Sequence, residues 1–499
     1  MIGRWIVLLA VSVALSASAE LKLAGPFTDG AVLQCGRKVP IWGWADPQQM
    51  VTVSFAGLQV SGVADSNGVW RVDLPPLEPC REGRVLTVRS CACGTTSKHA
   101  KEVRDVLVGE VWFVGGQSNA EMPLCGKPHF SDRNGRAVAQ KTSMPLVRFC
   151  RQNAHRLSEV PCKLPLSEAK WLPFSPENLQ GDSFSAMGVY YGIELYDALQ
   201  IPIGLVGVYW GGTGIDPWIP REGLASRPRL KGILDWKPSL KWDGEHPPSL
   251  WAYKRVKDQP SLIWNALVNP WCPYAMRGLI WYQGEANVDQ PELYADQMHA
   301  LYDGWSRKFE NADMRLYYVQ IAPYRSEKVV KLQLAQAQFE REEPNAGMVV
   351  VSDVGNLKDV HPNDKRTVGL RLALHALKRD YGFKSIRDNS PSVKAWRVEG
   401  NECVLTFNDA NALYLYNADF STRTPFEIAG EDGVFKPAVI GNLKTNANGR
   451  VCGEIDGAEL RVRAEGVTHP VRLRYLHSRP WTGTVYNEAN LPLGVFSIP

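Results

Sequence analysis

The sequence has little excess charge of either sign and no long block of it. Its 499 residues carry 56 Lys and Arg against 52 Asp and Glu, a formal net charge of +4. The basic residues are scattered along the chain rather than clustered, which is not the pattern of a nucleic-acid-binding surface. We therefore expect no nucleic-acid partner.

Long apolar runs are missing beyond the first 19 residues. There, a basic start is followed by the apolar run 5–15 and by Ala17-Ser-Ala19, the small residues of a cleavage site. This pattern predicts a secretory signal peptide over residues 1–19, with an uncleaved anchor as the alternative. No later segment approaches the ~20 apolar residues of a membrane span. We expect a secreted or periplasmic protein with no membrane span after signal cleavage.

Cysteine is sparse for an exported chain, with ten residues in all. That number does not make a dense disulfide scaffold at this length. Cys150 with Cys162 and Cys403 with Cys452 are candidate local pairs, which spacing alone does not assign. The paired C-x-x-C spacing of a zinc site is missing, so we expect no metal and no cofactor. The sequence does not indicate the oligomeric state.

Periodicity divides the rest of the chain into three parts. Residues 20–104 alternate apolar and polar positions in short runs between turn residues, which predicts an N-terminal β-sandwich-like domain. Residues 105–385 alternate strand-like and helical runs, which predicts an α/β domain with a parallel sheet. Residues 386–499 are again β-rich and predict a C-terminal β-sandwich-like domain.

Within the α/β part, apolar runs predict five strands and four helices. The last helix has Asn363 as its expected N-cap. The predicted strands cover 106–114, 204–209, 278–282, 316–321 and 348–351, and the predicted helices cover 185–199, 291–309, 328–341 and 364–381.

Residues suited to acyl transfer follow four of these strands. Ligands of a parallel sheet bind at the carboxyl ends of its strands. Serine is a weak nucleophile that needs a base, histidine is the usual base, and a tetrahedral oxyanion needs preorganised donors. The four loops contain Gly115-Gly-Gln-Ser118-Asn119, Trp210-Gly-Gly-Thr-Gly, Gln283-Gly-Glu-Ala-Asn287, and Asp359-Val-His361. They predict Ser118 as nucleophile, His361 as base, Asp359 as its orienting carboxylate and Asn287 as an oxyanion donor.

Structural readings of the same residues stay open at this point. Ser118 also suits a helix cap, and Asn287 and the Gly pair also suit turns. Trp218 is either core or a platform for a sugar ring. Glu285 fits a hydrogen-bond partner beneath the site rather than a catalytic group. The segment GQSNA departs from the G-x-S-x-G elbow at Ala120.

Several long segments, in this order, resemble the sialate O-acetylesterase family. They are PFTDGAVLQCGRKVPIWGWADP, LVGEVWFVGGQSNAEM, YWGGTGIDPW, IWYQGEANV and DVHPNDKRTVGLRLA, with FEIAGEDGVFKPA, RYLHSRP and NEANLPLGVF near the end. The resemblance covers nearly the whole mature chain. It implies that the central domain is an SGNH hydrolase of flavodoxin-like fold, a serine esterase that deacetylates sugars through an acetyl-serine intermediate.

Transferred residue by residue, the resemblance implies Ser118 as nucleophile and His361 as base. The oxyanion hole would combine the Ser118 N–H, Gly211 or Gly212, and Asn287. The wider class often has Asp three residues before the His, a position that is Lys358 here. Asp359 is therefore the first candidate for the orienting acid, Asp353 the second, and a Ser–His dyad with a backbone carbonyl the third. Candidate substrate-binding residues are Gln117, Trp218 and Gln283.

The expected partner is an O-acetylated glycan or sugar. The family name points to O-acetylated sialic acid, and acetylated plant polysaccharide, xylan or xyloglucan, is the alternative substrate. A glycan-binding module is the non-enzymatic alternative, because two β domains and many aromatic residues would suit it.

Overall fold

The structure is a computed structural model, and it describes most of the chain. The described residues are 21–91, 98–152, 156–163, 169–235, 258–324, 327–355, 358–415, 424–445, 451–455, 459–477 and 485–499. The predicted signal peptide lies outside them and stays a prediction. Among the described residues, no helix has both the length and the apolar character needed to cross a membrane.

In several strands of the N-terminal part, the side chains alternate between core and solvent. In Val69–Leu74, for example, Trp70, Val72 and Leu74 point inward. One antiparallel sheet has the order β1-β3-β6, and β4 pairs with β5 and β7. These strands are β1 Lys22–Leu23, β2 Val32–Gln34, β3 Val39–Trp44, β4 Met50–Phe55, β5 Leu58–Val63, β6 Val69–Leu74 and β7 Cys80–Cys91.

A single long strand joins this part to the centre of the molecule. Strand β8, Lys98–Gly116, has 19 residues, and the predicted domain boundary at residue 105 falls inside it. Its first half pairs antiparallel with β7, and its second half lies between two parallel strands of the central sheet. One apolar core runs from Leu21 to Leu377, so the first two parts pack as one body.

The central sheet has the strand order β10-β9-β11-β8-β12-β13-β14. All of these strands are parallel except the edge strand β10, so the sheet is mixed where a parallel one was predicted. The remaining strands are β9 Met144–Arg151, β10 Leu172–Phe174, β11 Ile203–Tyr209, β12 Gly278–Tyr282, β13 Arg315–Val319 and β14 Ala346–Val349. The prediction missed β9, because Pro145 and two arginines interrupt its apolar pattern.

Helices cover the sheet, and the four predicted from periodicity are present. They are α3 Ala186–Leu199, α5 Pro291–Lys308, α6 Glu327–Glu342 and α7 Lys365–Arg379, and the shorter helices are α1 Ser118–Glu121, α2 Gly135–Lys141 and α4 Arg221–Ala225. Short turns of 3₁₀ helix lie at Asp216–Trp218, Pro228–Asp235, Asn269–Trp271 and Glu285–Asn287, with a π turn at Trp264–Val268.

The predicted cap of α7 was wrong by one residue. Asp364, not Asn363, is the N-cap, and its Oδ1 accepts a hydrogen bond from the Thr367 N–H at 3.2 Å. The candidate disulfides are also wrong, because Cys150, Cys162 and Cys403 are all free.

The C-terminal part has a second apolar core to which two antiparallel sheets contribute. The larger sheet has the order β15-β16-β22-β19-β18-β23-β25 and the smaller one β20-β21-β17-β24. Its strands are β15 Ser392–Glu399, β16 Glu402–Asn408, β17 Leu413–Leu415, β18 Phe426–Ala429, β19 Lys436–Ile440, β20 Leu443–Thr445, β21 Val451–Ile455, β22 Leu460–Ala464, β23 Arg472–Tyr475, β24 Val485–Asn487 and β25 Phe496–Ile498.

Candidate active site

The site lies at the carboxyl edge of the central sheet, around the end of β8. The chain adds β11 on one side of β8 and β12 on the other, so the loops that leave these strands diverge and open a crevice. Gly116 makes the turn with a φ of 132°. A Cβ there would lie 2.1 Å from the carbonyl oxygen of Tyr282, so only glycine fits. The turn places Ser118 at the start of α1.

The structure brings Ser118, His361 and Asp359 together. The Nε2 of His361 lies 2.8 Å from the Oγ of Ser118. On the other side of the ring, Nδ1 lies 3.3 Å from Oδ1 of Asp359, which also accepts the backbone N–H of His361 at 2.9 Å. The second candidate acid, Asp353, is held by both terminal nitrogens of Arg371 at 2.7 Å, so Asp359 is the carboxylate beside the imidazole.

The surroundings of His361 favour the neutral imidazole. Burial lowers its pKa, the Asp359 carboxylate opposes this effect, and the positive charge of Lys365 adds to it. The ring of Phe130 meets the imidazole edge to face with centroids 5.1 Å apart, which contributes to the burial. A neutral imidazole whose Nδ1 proton faces Asp359 leaves Nε2 free to accept the hydroxyl proton of Ser118.

Asn287 presents its amide nitrogen as a donor at the same edge. Its Oδ1 accepts hydrogen bonds from Gln283 Nε2 at 2.7 Å and from the Ile215 N–H at 3.1 Å. Two donors at one atom identify that atom as the oxygen, so Nδ2 lies on the opposite side of the amide. The N–H of Ser118 belongs to the first turn of α1, where backbone N–H groups have no acceptor within the helix. Both groups are suited to an oxyanion.

Of the two glycines expected to complete the oxyanion hole, Gly211 donates its N–H to Oε2 of Glu121 at 2.6 Å. Gly212, which has a φ of 67°, stays a predicted donor. Gly211 has a different role, because a Cβ there would lie 2.9 Å from Glu121 Oε2 and 3.4 Å from the Cβ of Ser118. Glycine allows this loop to lie directly against the serine.

The three predicted substrate-binding side chains are buried in the framework of the site. Trp218 is 0% exposed, donates from Nε1 to Thr213 Oγ1 at 3.0 Å and packs edge to face on Trp281. Gln283, also 0% exposed, donates to Gln117 Oε1 at 3.1 Å and to the Thr213 carbonyl at 3.2 Å. Gln117 and Gln283 therefore tie together the loops after β8, β11 and β12.

Comparison with known proteins places this geometry in a family. The family model described as carbohydrate esterase, sialic acid-specific acetylesterase, matches residues 108–378, more than half of the chain. The chain belongs to this family. The matched segment contains the second half of β8, strands β11, β12 and β14, and all four loops of the site.

Relatives that match most of the chain agree with the family assignment. The human sialate O-acetylesterase is 27% identical over 382 residues, which cover 70% of this chain and 69% of that protein. The sialate O-acetylesterase of Rattus norvegicus is 27% identical over 476 residues, covering 86% and 85%. Among solved structures, a carbohydrate acetylesterase from Xanthomonas citri is similar with a TM-score of 0.80 and 29% identity, covering 96% of this chain and 99% of that one.

The protein is thus a carboxylic ester hydrolase, a carbohydrate acetylesterase that acts on acetylated sugars, and not a binding module alone. In this esterase, sequence reasoning missed two charged residues next to the site. Glu121 lies three positions after Ser118 and so shares a face of α1 with it. Lys365 begins α7, four positions after His361. The short spacing from a candidate catalytic residue is the signal that could have identified both.

Proposed function

We propose that this esterase removes O-acetyl groups from sialic acid in glycans through an acetyl-Ser118 intermediate. The observation that carries the proposal is the 2.8 Å contact between Ser118 Oγ and His361 Nε2, which places a nucleophile and its base in hydrogen-bond reach. The neighbouring Asp359 supports the assignment, because a carboxylate at Nδ1 fixes the tautomer that leaves Nε2 as the acceptor.

The proposed reaction has two halves. Ser118 Oγ attacks the acetyl carbonyl while His361 Nε2 takes the hydroxyl proton, and the oxyanion is held by the N–H groups of Ser118 and Gly212 and by Asn287 Nδ2. The bond between the acetyl carbon and the sugar oxygen then breaks as His361 returns the proton to that oxygen. Water then attacks the acetyl-enzyme with His361 again as base, which releases acetate and restores Ser118.

Sialic acid is favoured as the substrate by the relatives called sialate O-acetylesterases, at 27% identity. A second candidate is an acetylated plant polysaccharide such as xylan or xyloglucan. The Xanthomonas citri protein, at 29% identity, is described only as a carbohydrate acetylesterase, which favours keeping this wider class of substrates.

The proposal includes a cellular location and a domain plan. Cleavage of residues 1–19 would make the protein secreted or periplasmic, and N-terminal sequencing of exported protein tests this.

Strand order β11-β8-β12-β13-β14 supports a flavodoxin-like SGNH domain over 105–385, since it corresponds to the 2-1-3-4-5 order of that fold. β-sandwich-like domains over 20–104 and 386–499 would flank it.

The test is acetate release by wild type and Ser118→Ala from 9-O-acetylated sialic acid and from acetylated xylan, in parallel. Ser306→Ala is a matched control, because its hydroxyl bonds the Asn311 carbonyl away from the site. We expect release from the sialic acid substrate by wild type and by the control, and none by Ser118→Ala. Equal release by Ser118→Ala would disprove the nucleophile assignment, and release from xylan alone would establish the second candidate.

A further inference from the structure

A lysine is fully buried next to Asn119, the residue that follows the nucleophile. The side chain of Lys365 is 0% exposed, and its Nζ donates to Oδ1 of Asn119 at 2.6 Å. The same Nζ lies 5.0 Å from the centroid of the Tyr282 ring. Burying an ammonium costs several kcal/mol unless it is well paired. An apolar side chain of the same length would fill this space without that cost, so packing alone does not account for a lysine here.

Asn119 connects this ammonium to both catalytic loops. It follows Ser118 directly in the chain, and its Nδ2 donates to the carbonyl oxygen of Val360 at 3.1 Å. Val360 in turn precedes His361. The Nδ2 also donates to Oε1 of Glu285, in the loop after β12. Because Lys365 carries only donors, it requires Oδ1 of Asn119 to face it, and Nδ2 must then face the other two loops.

We propose that Lys365 is a positioning residue for ester hydrolysis, which acts through Asn119 to hold the His361 loop against Ser118 and through its positive charge to keep His361 unprotonated. This inference rests on the proposed roles of Ser118 and His361. Lys365 does not touch the reacting atoms, so its effect passes through the 2.8 Å contact of those two residues.

The charges around the two groups determine the expected pH effect. Burial lowers the pKa of Lys365 to about 7, and surrounding carboxylates oppose this effect. Lys365 is therefore largely protonated over the acid range in which an imidazole titrates, and its charge lowers the pKa of His361. Burial raises the pKa of Glu285, so this carboxyl only partly offsets the ammonium. The carboxyl groups whose charges act on Lys365 are Glu285, Asp132, Asp364 and Asp359. The charged groups that act on His361 are Asp359 and Lys365.

The decisive variant is Lys365→Met, which removes the ammonium and keeps the length of the side chain. The start of α7 is held independently, because the backbone N–H of Lys365 donates to Asp132 Oδ2 at 2.9 Å and this bond survives the change. We expect kcat to fall ~10- to 100-fold, as for a misplaced catalytic group, with KM little changed. We also expect the acid limb of the kcat profile to move up by roughly one pH unit, because a neighbouring positive charge is lost.

Three further variants separate the possible results. Lys378 lies on the same helix, and its Nζ pairs with Asp388 at 2.7 Å. Lys378→Met should therefore leave kcat and its pH profile as in wild type. Lys365→Arg retains the charge and should keep the acid limb of wild type even with a lower kcat. Asn119→Ala removes the connection without removing a charge and should lower kcat comparably, so it also tests the positioning role if Lys365→Met does not fold.

The assay uses acetate release by the full chain, with the folded fraction measured by circular dichroism. A loss of rate in Lys365→Met that only matches its loss of folded protein, with an unmoved acid limb, would overturn the inference, as would wild-type kinetics in Asn119→Ala. Ser118→Ala belongs in the same series. Retained activity there would refute the proposed function itself, whereas its inactivity beside an unaffected Lys365→Met would refute the role of the lysine alone.

Discussion

Ser118 and His361 are 243 positions apart in the chain, and their side chains meet at 2.8 Å. The imidazole is partly buried against Phe130 and faces a carboxylate on one side only. Its pKa therefore depends on opposing effects: burial, the largest, and the positive charge of Lys365 favour the neutral ring, whereas Asp359 favours the charged one. The pKa of His361 consequently lies below its ordinary value.

This balance predicts the pH dependence of the esterase. A base must be unprotonated to act, so activity is lost as pH falls through the pKa of His361. Because that pKa is lowered, we expect the acid limb of kcat/KM to lie below pH ~6.5, the ordinary value for histidine. The measurement is a pH series with a small acetyl ester in constant ionic strength buffers. An acid limb at or above the ordinary value would contradict the assignment of burial as the dominant effect.

Asn287 gives a second prediction at this scale. Asn287→Ala removes the amide donor proposed for the oxyanion, and loss of one such donor lowers kcat by roughly 10²–10³-fold. We expect KM to change far less, since the charge on the oxygen develops only in the transition state. Steady-state kinetics measure both constants. Asn269→Ala, which removes a bond to the Cys162 carbonyl away from the site, is the matched control and should retain the wild-type kcat.

At the scale of elements, the short helix α1 does more than carry the nucleophile. Glu121, on its last position, accepts the Gly211 N–H at 2.6 Å and lies 3.8 Å from Arg151. The carboxylate thereby ties the loop after β11 to the helix that bears Ser118. The glycine pair of that loop is held in place by the same four-residue helix that presents the hydroxyl.

Glu121→Ala should therefore reduce catalysis without touching the substrate. A hydrogen bond to a charged acceptor is worth about 1.5–3 kcal/mol, and releasing the loop should lower kcat by roughly tenfold or more. Glu121→Gln retains an oxygen acceptor and should lose less. The measurement is kcat for the two variants, each corrected for its folded fraction. Equal rates for Glu121→Ala and wild type would show that the loop holds its shape without this bond.

The aromatic residues show how an element's surroundings decide the role of a residue type. Trp218 is an aromatic residue that follows a strand end, which suits a platform for a sugar ring. In the structure, its indole instead packs on Trp281. The half-buried Phe130, from the loop after α1, is instead the aromatic ring beside the imidazole.

At the scale of the whole molecule, one buried carboxylate links the N-terminal part to the central sheet. Glu110 lies on β8 and accepts hydrogen bonds from Gln34 Nε2 at 3.0 Å and from two nitrogens of Arg277 at 3.0 and 2.9 Å. Tyr381, beyond the end of α7, donates to it as well at 3.0 Å. Burial would raise the pKa of Glu110, but the bonds and charge of Arg277 outweigh it, so the pKa is lowered and the group stays ionised.

Breaking this pair should destabilise the protein while leaving the site intact. Arg277→Met leaves the Glu110 carboxylate without its charged partner. Removing one partner of a buried pair costs about 3–5 kcal/mol in the free energy of unfolding. Urea unfolding near neutral pH measures the loss, and kcat per folded molecule should remain that of wild type. Arg229→Met is the control, because its pair with Asp296 is largely exposed and should cost at most about 1 kcal/mol. Equal losses in the two variants would refute the structural role of Glu110.

The sequence by itself determined the local features of this protein. Apolar patterning located helices such as α3 and α7, which bury one face, and strand β12, a short apolar run that is buried on both faces. Residue types after strand ends indicated Ser118, His361, Asp359 and Asn287 as candidates, because the chemistry of acyl transfer restricts which side chains serve. These inferences depend on residues that are neighbours in the chain, and the sequence shows those neighbours directly.

Only the tertiary structure decided what depends on contacts between distant segments. It showed that Trp218, Gln117 and Gln283 are buried, that Gly211 is engaged by Glu121, and that Arg371 rather than His361 holds Asp353. It also brought the ammonium of Lys365 beneath Asn119, 246 positions away in the chain. Burial and pairing are properties of the space around a side chain, and that space is filled by residues whose positions the local pattern does not specify.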